Sequence, residues 1–437
     1  MKEVRVGILG LGTIGSGVAR LLLEQQGLMS RRLGCHVRLV AACDRDILER
    51  EFDFDMEGVR LTAHANEVVT AEDVDLVVEL IGGYEPARTF VATTIEHGKH
   101  VVTANKALIA KFGEELFPLA EAQGVAIGFE AAVGGGIPCL KALREGLAAN
   151  GIQSVHGILN GTCNYILTKM EDEGTPFDEV LAEAQALGYA EADPTFDIEG
   201  IDTAHKLSII AAMAFGSRIR FEDVYTEGIS RITPDDIASA KELGYCIKLL
   251  GIAKPHDGHV EMRVHPTLVS LDAQIAQVSD SYNAVMISGD FVEHTMYFGR
   301  GAGERPTASA VVADIMDIAR VIPGCVDRMA PPMAFVDAER RDVPTLPMAD
   351  TESEYYLRFM VQDEPGVIAA ITSILSDHRI SLEALVQKAR HAIKAVPVVM
   401  TTHETTEGNL QAAVARITAL ESVEGDALVL RMERFAA

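Results

Sequence analysis

Residues 4–15 read Val4-Arg5-Val6-Gly7-Ile8-Leu9-Gly10-Leu11-Gly12-Thr13-Ile14-Gly15. The first six read as a strand, which runs straight into G-x-G-x-x-G, with a helix expected from near Ser16. In that setting each glycine has a task. Gly10 allows a tight turn, Gly12 lets a pyrophosphate approach the backbone, and Gly15 lets helix and strand pack closely. The loop residues Thr13 and Ile14 lead into a helix N-terminus whose free N–H groups suit an anion. A glycine pattern alone is weak, but a strand before it and a helix after it make a dinucleotide loop the reading of choice.

Further strands are expected at 37–42, 76–80, 100–103 and 126–129, with helical patterns between them at 17–26 and 114–123. Strands alternating with helices give βαβ units and a parallel sheet, so the fold class is α/β with an N-terminal Rossmann-type sheet. The second strand ends at Cys43-Asp44-Arg45. An acid there can bind the ribose hydroxyls of NAD, and an arginine beside it can hold the 2′-phosphate of NADP, so both coenzymes stay open. Asp44 lies 29 residues beyond Gly15, further than the usual 20 or so. An insertion around 27–34 accounts for the difference.

At about 150 residues per domain, 437 residues suggest three domains. From about 140 to 325 the pattern is mixed, with helices at 177–187, 201–215 and 308–321, as in an α+β domain. Pro331, Pro332, Pro344 and Pro347 mark a linker. From about Tyr355 the order is strand, helix, strand, strand, helix, strand. The expected boundaries are 1–137 for the dinucleotide-binding domain, 138–325 for the mixed domain, 326–352 for the linker and 353–437 for the last module. The helix near 307–322 is expected to pack back on the first domain. A net charge of −26 argues against a nucleic-acid partner. No apolar run approaches the roughly 18 residues of a membrane span, and the N-terminus does not read as a signal peptide, so a cytoplasmic protein is expected. The six cysteines are scattered without C-x-x-C pairs and read as buried thiols, with Cys163 in Gly161-Thr162-Cys163-Asn164-Tyr165 standing apart.

Asp202 and Lys206 stand at i and i+4 on the expected helix. At about 100° per residue, Ile198, Ile209 and Met213 fall on the same stripe, and the helix beyond is apolar all round. A charged pair there faces a cleft or the interior, where charge is costly without a partner. Just upstream lies Gly188-Tyr189-Ala190-Glu191-Ala192-Asp193-Pro194, followed by Asp197 and Glu199, a carboxylate-rich loop suited to an ammonium group. Lys106 follows the strand at 100–103 and so belongs at the carboxyl edge of the sheet, where ligands bind. Residues 130–138 place Gly134-Gly135-Gly136 after the fifth strand, and such a backbone can aim carbonyls at a hard cation. Gly299-Arg300-Gly301-Ala302-Gly303 is a second candidate loop over a coenzyme, with a helix opening at Thr307 or Ser309.

These motifs together resemble homoserine dehydrogenases. GLGTIGSGV, TANKALIA, EAAVGGGIP, GILNGTCNYIL, GYAEADPTFDIEGIDTAHK and GRGAGERPTASAVVAD carry the likeness over most of the chain. The resemblance implies NAD(P)-dependent interconversion of L-homoserine and L-aspartate 4-semialdehyde, on the route to threonine and methionine. It implies Lys206 as proton donor and acceptor, Asp202 as its catalytic carboxylate and Lys106 between coenzyme and substrate. Glu191, Asp197, Gly188 and Tyr189 would bind substrate, and Gly10, Gly12, Thr13, Ile14, Gly15, Asp44, Arg45, Lys106 and Gly303 the coenzyme. Glu130, Val133, Gly135 and Ile137 would hold sodium or potassium, mainly through carbonyls. The last module is similar to an ACT domain, with Asp363-Glu364-Pro365-Gly366-Val367 as its turn. That implies threonine feedback, with Asp363, Gly366 and Val367 as effector residues, and a homodimer or homotetramer. Another Rossmann dehydrogenase, or a coenzyme-binding amino-acid sensor without turnover, are the alternatives.

Overall fold

The structure, a computed structural model, describes residues 3–322, 329–387 and 395–435. Cys325 and the expected boundary at 325 lie outside them. The chain forms two compact units, each assembled from three stretches. The first comprises Met1–Gly161, Ala204–Val224 and Tyr282–Val343, and the second Thr162–Thr203, Tyr225–Ser281 and Pro344–Ala437.

The first unit is built on β1 (Glu3–Leu9), β2 (His36–Cys43), β3 (Arg60–Thr62), β4 (Leu76–Glu79), β5 (His100–Thr103) and β6 (Ile127–Gly128). Their order is β3-β2-β1-β4-β5-β6, with parallel pairing throughout. The order reverses between β1 and β4, so the glycine loop after β1 opens at the switch point, where such sheets bind ligands. The five strands expected from sequence are present within a residue or two. β3 was not expected: three residues carry too little alternation to be read. Helix Thr13–Glu24 starts at the glycine loop itself, with Gly12 as its N-cap, rather than near Ser16. The insertion at 27–34 is largely a helix of its own, Gln26–Leu33, stopped by Gly34 at φ 72°.

Val6, Ile8, Leu76, Val78 and Val102 are buried in one cluster with Val311, Ile315 and Ile318 of helix Glu304–Val321. That late helix therefore completes the N-terminal core by covering one face of the sheet. It begins at Glu304 behind the N-cap Gly303, a turn earlier than Thr307. Strands Ile152–Ile158, Tyr282–Gly289 and Glu293–Arg300 form an antiparallel ribbon in the same unit. The Pro-rich stretch is packed structure. Arg340 is buried and donates to Glu114, Asp337 and the Ser217 carbonyl, and Arg341 bridges to Ser217.

In the second unit, Tyr245–His256 and His259–Ser270 form an antiparallel hairpin. Glu352–Gln362, helix Val367–Asp377, Leu382–Gln387, Ala395–Thr402, helix Glu407–Thr418 and Val423–Glu433 give the expected βαββαβ module. Its strands pair antiparallel, and Val423–Glu433 also pairs in parallel with His259–Ser270 through Thr267 and Arg431. The module is thus one continuous sheet with the hairpin. Among the described residues, no helix is long and apolar enough to cross a membrane.

Candidate active site

The coenzyme loop is shaped by backbone geometry. Gly10 sits at φ 90°, and a Cβ there would lie 2.6 Å from the Leu80 carbonyl oxygen. A Cβ on Gly15 would collide with the Gly10 carbonyl, whereas one on Gly12 would meet nothing within 4 Å. The space over Gly12, at the mouth of a twelve-residue helix, fits a pyrophosphate. Asp44, at the end of β2, accepts from the Leu11 N–H at 2.6 Å and from the Arg45 N–H at 2.7 Å. Both its oxygens are thus engaged with backbone. Arg50 donates to the Leu11 carbonyl and, at 3.3 Å, to Ser16 Oγ. Sequence reading missed Arg50, because nothing in its spacing says that the turn after β2 folds back over the loop.

Lys106 opens helix Lys106–Gln123 at the carboxyl end of β5. A buried network fixes this corner. Glu79, fully buried, accepts from Thr103 Oγ1 at 2.6 Å and from the Ile81 and Gly82 N–H groups at 2.8 and 3.1 Å. Thr103 Oγ1 accepts from the Asn105 N–H, and the Asn105 side chain caps Leu108 N and donates to the Gly83 carbonyl. Glu79 and Asn105 were not singled out from sequence; a carboxylate ending an apolar strand is the signal for the first.

Three glycine segments far apart in sequence converge in the first unit. A Cβ on Gly135 would press against the Gly301 carbonyl, the Gly136 N–H donates to the Arg300 carbonyl at 3.1 Å, and a Cβ on Gly17 would lie 2.6 Å from Glu304 Cγ. The 299–303 loop, with Gly303 at φ 114°, therefore touches the cation-loop candidate, and Glu304 just after it packs on the first helix. The Glu130 N–H donates to Asp314 and its Oε1 accepts from the Leu140 N–H. Its Oε2 is buried and without a hydrogen-bond partner. Burial, with Asp314 beside it, pushes the Glu130 carboxyl up to about 8. The Val133 carbonyl faces the Cys139 thiol at 3.6 Å, and Ile137 N closes a turn on the Gly134 carbonyl. An orphaned carboxyl oxygen in a loop rich in carbonyls fits a monovalent cation.

Helix Ile201–Phe215 carries Asp202 and Lys206 as expected, both buried, with every residue from 202 to 214 buried as well. Lys206 Nζ donates to the Leu159 carbonyl at 2.6 Å. In the second unit the 188–197 loop is pinned by its backbone. Gly188 takes φ 76°, Thr162 Oγ1 donates to the Tyr189 carbonyl at 2.6 Å, and Gln185 donates to the Glu191 carbonyl at 3.0 Å. The Cys163 thiol donates to the Asp197 carbonyl at 3.2 Å, so Cys163 is a buried structural group. The Glu191 side chain is exposed and Asp197 half-buried. In the last module Gly366 takes φ 99° as a helix N-cap, Val367 is buried, and Asp363 accepts from Gln387 at 3.2 Å.

Residues 10–130 match the family model "Homoserine dehydrogenase, NAD binding domain", residues 138–316 match "Homoserine dehydrogenase" and residues 355–422 match "ACT domain". A homoserine dehydrogenase of Neisseria gonorrhoeae is 48% identical over 433 residues, 99% of each chain. The chain belongs to the homoserine dehydrogenase family. It is accordingly an NAD(P)-dependent oxidoreductase that interconverts L-homoserine and L-aspartate 4-semialdehyde. The crystal structure of a homoserine dehydrogenase from Thiobacillus denitrificans superimposes with a TM-score of 0.93 at 50% identity, covering 99% of both chains. A hyperthermophilic archaeal homoserine dehydrogenase solved with NADPH covers 74% of this chain and 99% of its own, with a TM-score of 0.63 at 26% identity. The α/β class, the Rossmann-type sheet and the ACT module expected from sequence are borne out.

Proposed function

We propose that Lys206 exchanges the hydroxyl proton of homoserine, with the Asp202 carboxylate one helical turn before it orienting the amine. The observation that carries this is a buried amine, fixed on the Leu159 carbonyl at 2.6 Å, on a helix otherwise apolar past its first turns. A buried lysine without a task is costly. When bound, the nicotinamide coenzyme takes or gives the hydride. The chain's own residues bind, orient and move the proton. Lys106, at the network-held corner after β5, orients the substrate oxygen. Glu191 and Asp197, with Gly188 and Tyr189, hold the substrate's ammonium end.

Gly10, Gly12, Thr13, Ile14, Gly15 and Gly303 form the coenzyme cradle. We assign NADP(H) as the preferred coenzyme: Asp44 is engaged with two backbone N–H groups, while Arg45 and Arg50 flank the loop. Carbonyls of Glu130, Val133, Gly135 and Ile137 would hold sodium or potassium. The functional ranges proposed are 1–137 for coenzyme, 138–325 for substrate and dimerisation, 326–352 as connector and 353–437 for regulation. Threonine binding near Asp363, Gly366 and Val367, in a cytoplasmic homodimer or homotetramer, completes the reading. Its supports are the family and the βαββαβ module.

The test is Lys206→Ala. Turnover should be lost while NADPH still binds with wild-type affinity; a normal kcat would sink the assignment.

A further inference from the structure

Arg431, in the last strand of the ACT module, has a side chain 2% exposed. Its Nε and Nη2 donate to the Glu407 carboxylate at 3.0 and 2.5 Å, and its Nη1 donates to Glu227. Nη2 also reaches the Tyr225 hydroxyl at 3.2 Å, and the guanidinium lies 5.4 Å from the Tyr225 ring centroid. One buried cation therefore ties helix Glu407–Thr418 of the module to Glu227, which lies 204 residues upstream of Arg431 in sequence. Glu407 anchors that cation with two bonds. Burial alone would raise its carboxyl, but Arg431 outweighs this and holds it below the usual range.

The upstream segment is rigid by its backbone. Tyr225–Thr226 pairs with Arg263 and Val264 of the hairpin, and the Glu227 N–H donates to the Val264 carbonyl at 2.8 Å. Two residues further it meets the substrate loop. The Ile229 N–H donates to the Ile198 carbonyl at 2.9 Å, and a Cβ on Gly228 would lie 2.6 Å from Glu199 Cα. A Cβ on Gly200, at φ 80°, would lie 3.2 Å from Thr226 Cγ2. At Gly228 the two backbones lie against each other and share a hydrogen bond, so a shift of one must be followed by the other. Residues 198–200 lead directly into Asp202, and the Asp197 carbonyl is capped by Cys163.

We propose that Arg431 is a positioning residue for the substrate loop, holding residues 197–202 in place through Glu227 from within the ACT module. This rests on the assignment of that loop to the amino-acid substrate. It also specifies what the module can regulate: a displacement of helix Glu407–Thr418 would reach homoserine affinity before it reached the coenzyme.

The test uses the full-length enzyme. Glu227→Gln keeps the shape and leaves Arg431 paired with Glu407, so the fold is retained. It should raise KM for homoserine about tenfold while KM for the coenzyme and Kd for NADPH stay within about twofold. Arg431→Lys should act in the same direction, and the double variant should be no worse than the stronger single one, because both break one link. An unchanged homoserine KM in Glu227→Gln, equal rises for both substrates, or additive effects in the double variant would each overturn the proposal. Lys206→Ala run alongside separates the two readings. Full turnover there would remove the site assignment itself, whereas a dead Lys206→Ala with a normal Glu227→Gln would remove only the link.

Discussion

Replacing Gly12 with alanine should leave the fold intact and damage coenzyme binding alone, while the same change at Gly15 should cost stability. Gly12 has φ −62°, and a methyl group added there would project into open space, with nothing within 4 Å. Alanine is therefore tolerated, and could stabilise the chain by about 0.4–1 kcal/mol through its unfolded state. At Gly15 the added methyl meets the Gly10 carbonyl, which is backbone and cannot swing away. Overpacking of that kind costs about 1–3 kcal/mol, or a melting-temperature loss of roughly 2–12 °C at about 2–4 °C per kcal/mol.

The coenzyme side follows from the same geometry. If the pyrophosphate lies over Gly12, a methyl there takes part of its place, and a loss of about 2.7 kcal/mol of contact is a roughly 100-fold loss of affinity. NADPH at about 100 times its Kd stabilises the wild type by about 2.7 kcal/mol, and by only about 0.4 kcal/mol after a hundredfold loss. The NADPH-induced melting shift should then fall from roughly 5–11 °C to about 1 °C. Thermal melts with and without NADPH, together with coenzyme KM, read both effects. A Gly12→Ala variant with the wild-type NADPH shift would refute the placement of the pyrophosphate.

Asn105→Ala removes the cap on Leu108 N and the bond to the Gly83 carbonyl. It should cost about 1–2 kcal/mol in urea unfolding and also lower kcat/KM; lost stability with unchanged kcat/KM would show that this corner does not place Lys106 for catalysis. His100 is held neutral, accepting from the Ala126 N–H at 3.0 Å, and burial pushes its pKa down to about 4. The unfolded chain therefore binds a proton that the folded one refuses as pH falls from about 6.5 to 4. Stability should drop by about 2 kcal/mol between pH 7.5 and 5, and a His100→Gln variant with the same pH slope as wild type would contradict this. Truncation before residue 350 would strip Glu433 from buried Arg263 and break the ladder at Thr267. It should destabilise the second unit by about 3–5 kcal/mol, seen as a lower urea midpoint. Point changes at Asp363 are the cleaner test of threonine feedback, and a truncated chain of wild-type stability would show the module to be dispensable.

The parts legible in sequence were those written in local order. The strand and glycine loop at 4–15, the helix bearing Asp202 and Lys206 and the βαββαβ module all announce themselves within a short window, because hydrophobic period and turn chemistry act between near neighbours. β3 was too short to show a period. The early starts of helices Thr13–Glu24 and Glu304–Val321 depended on glycines serving as N-caps, which composition does not reveal. Arg50, Glu79 and Asn105 gain meaning only from the backbone groups that the fold brings to them.

By itself, then, the sequence determined the element types, the α/β class, the dinucleotide loop and the residue kinds available for proton transfer. The tertiary structure decided where charge could be kept. It placed Glu304–Val321 on the first sheet, packed the three glycine segments together and closed Arg431 between Glu407 and Glu227. The physical reason is range. Propensity and periodicity act over a few residues, whereas desolvating an ion demands partners that only chain closure over hundreds of residues can supply.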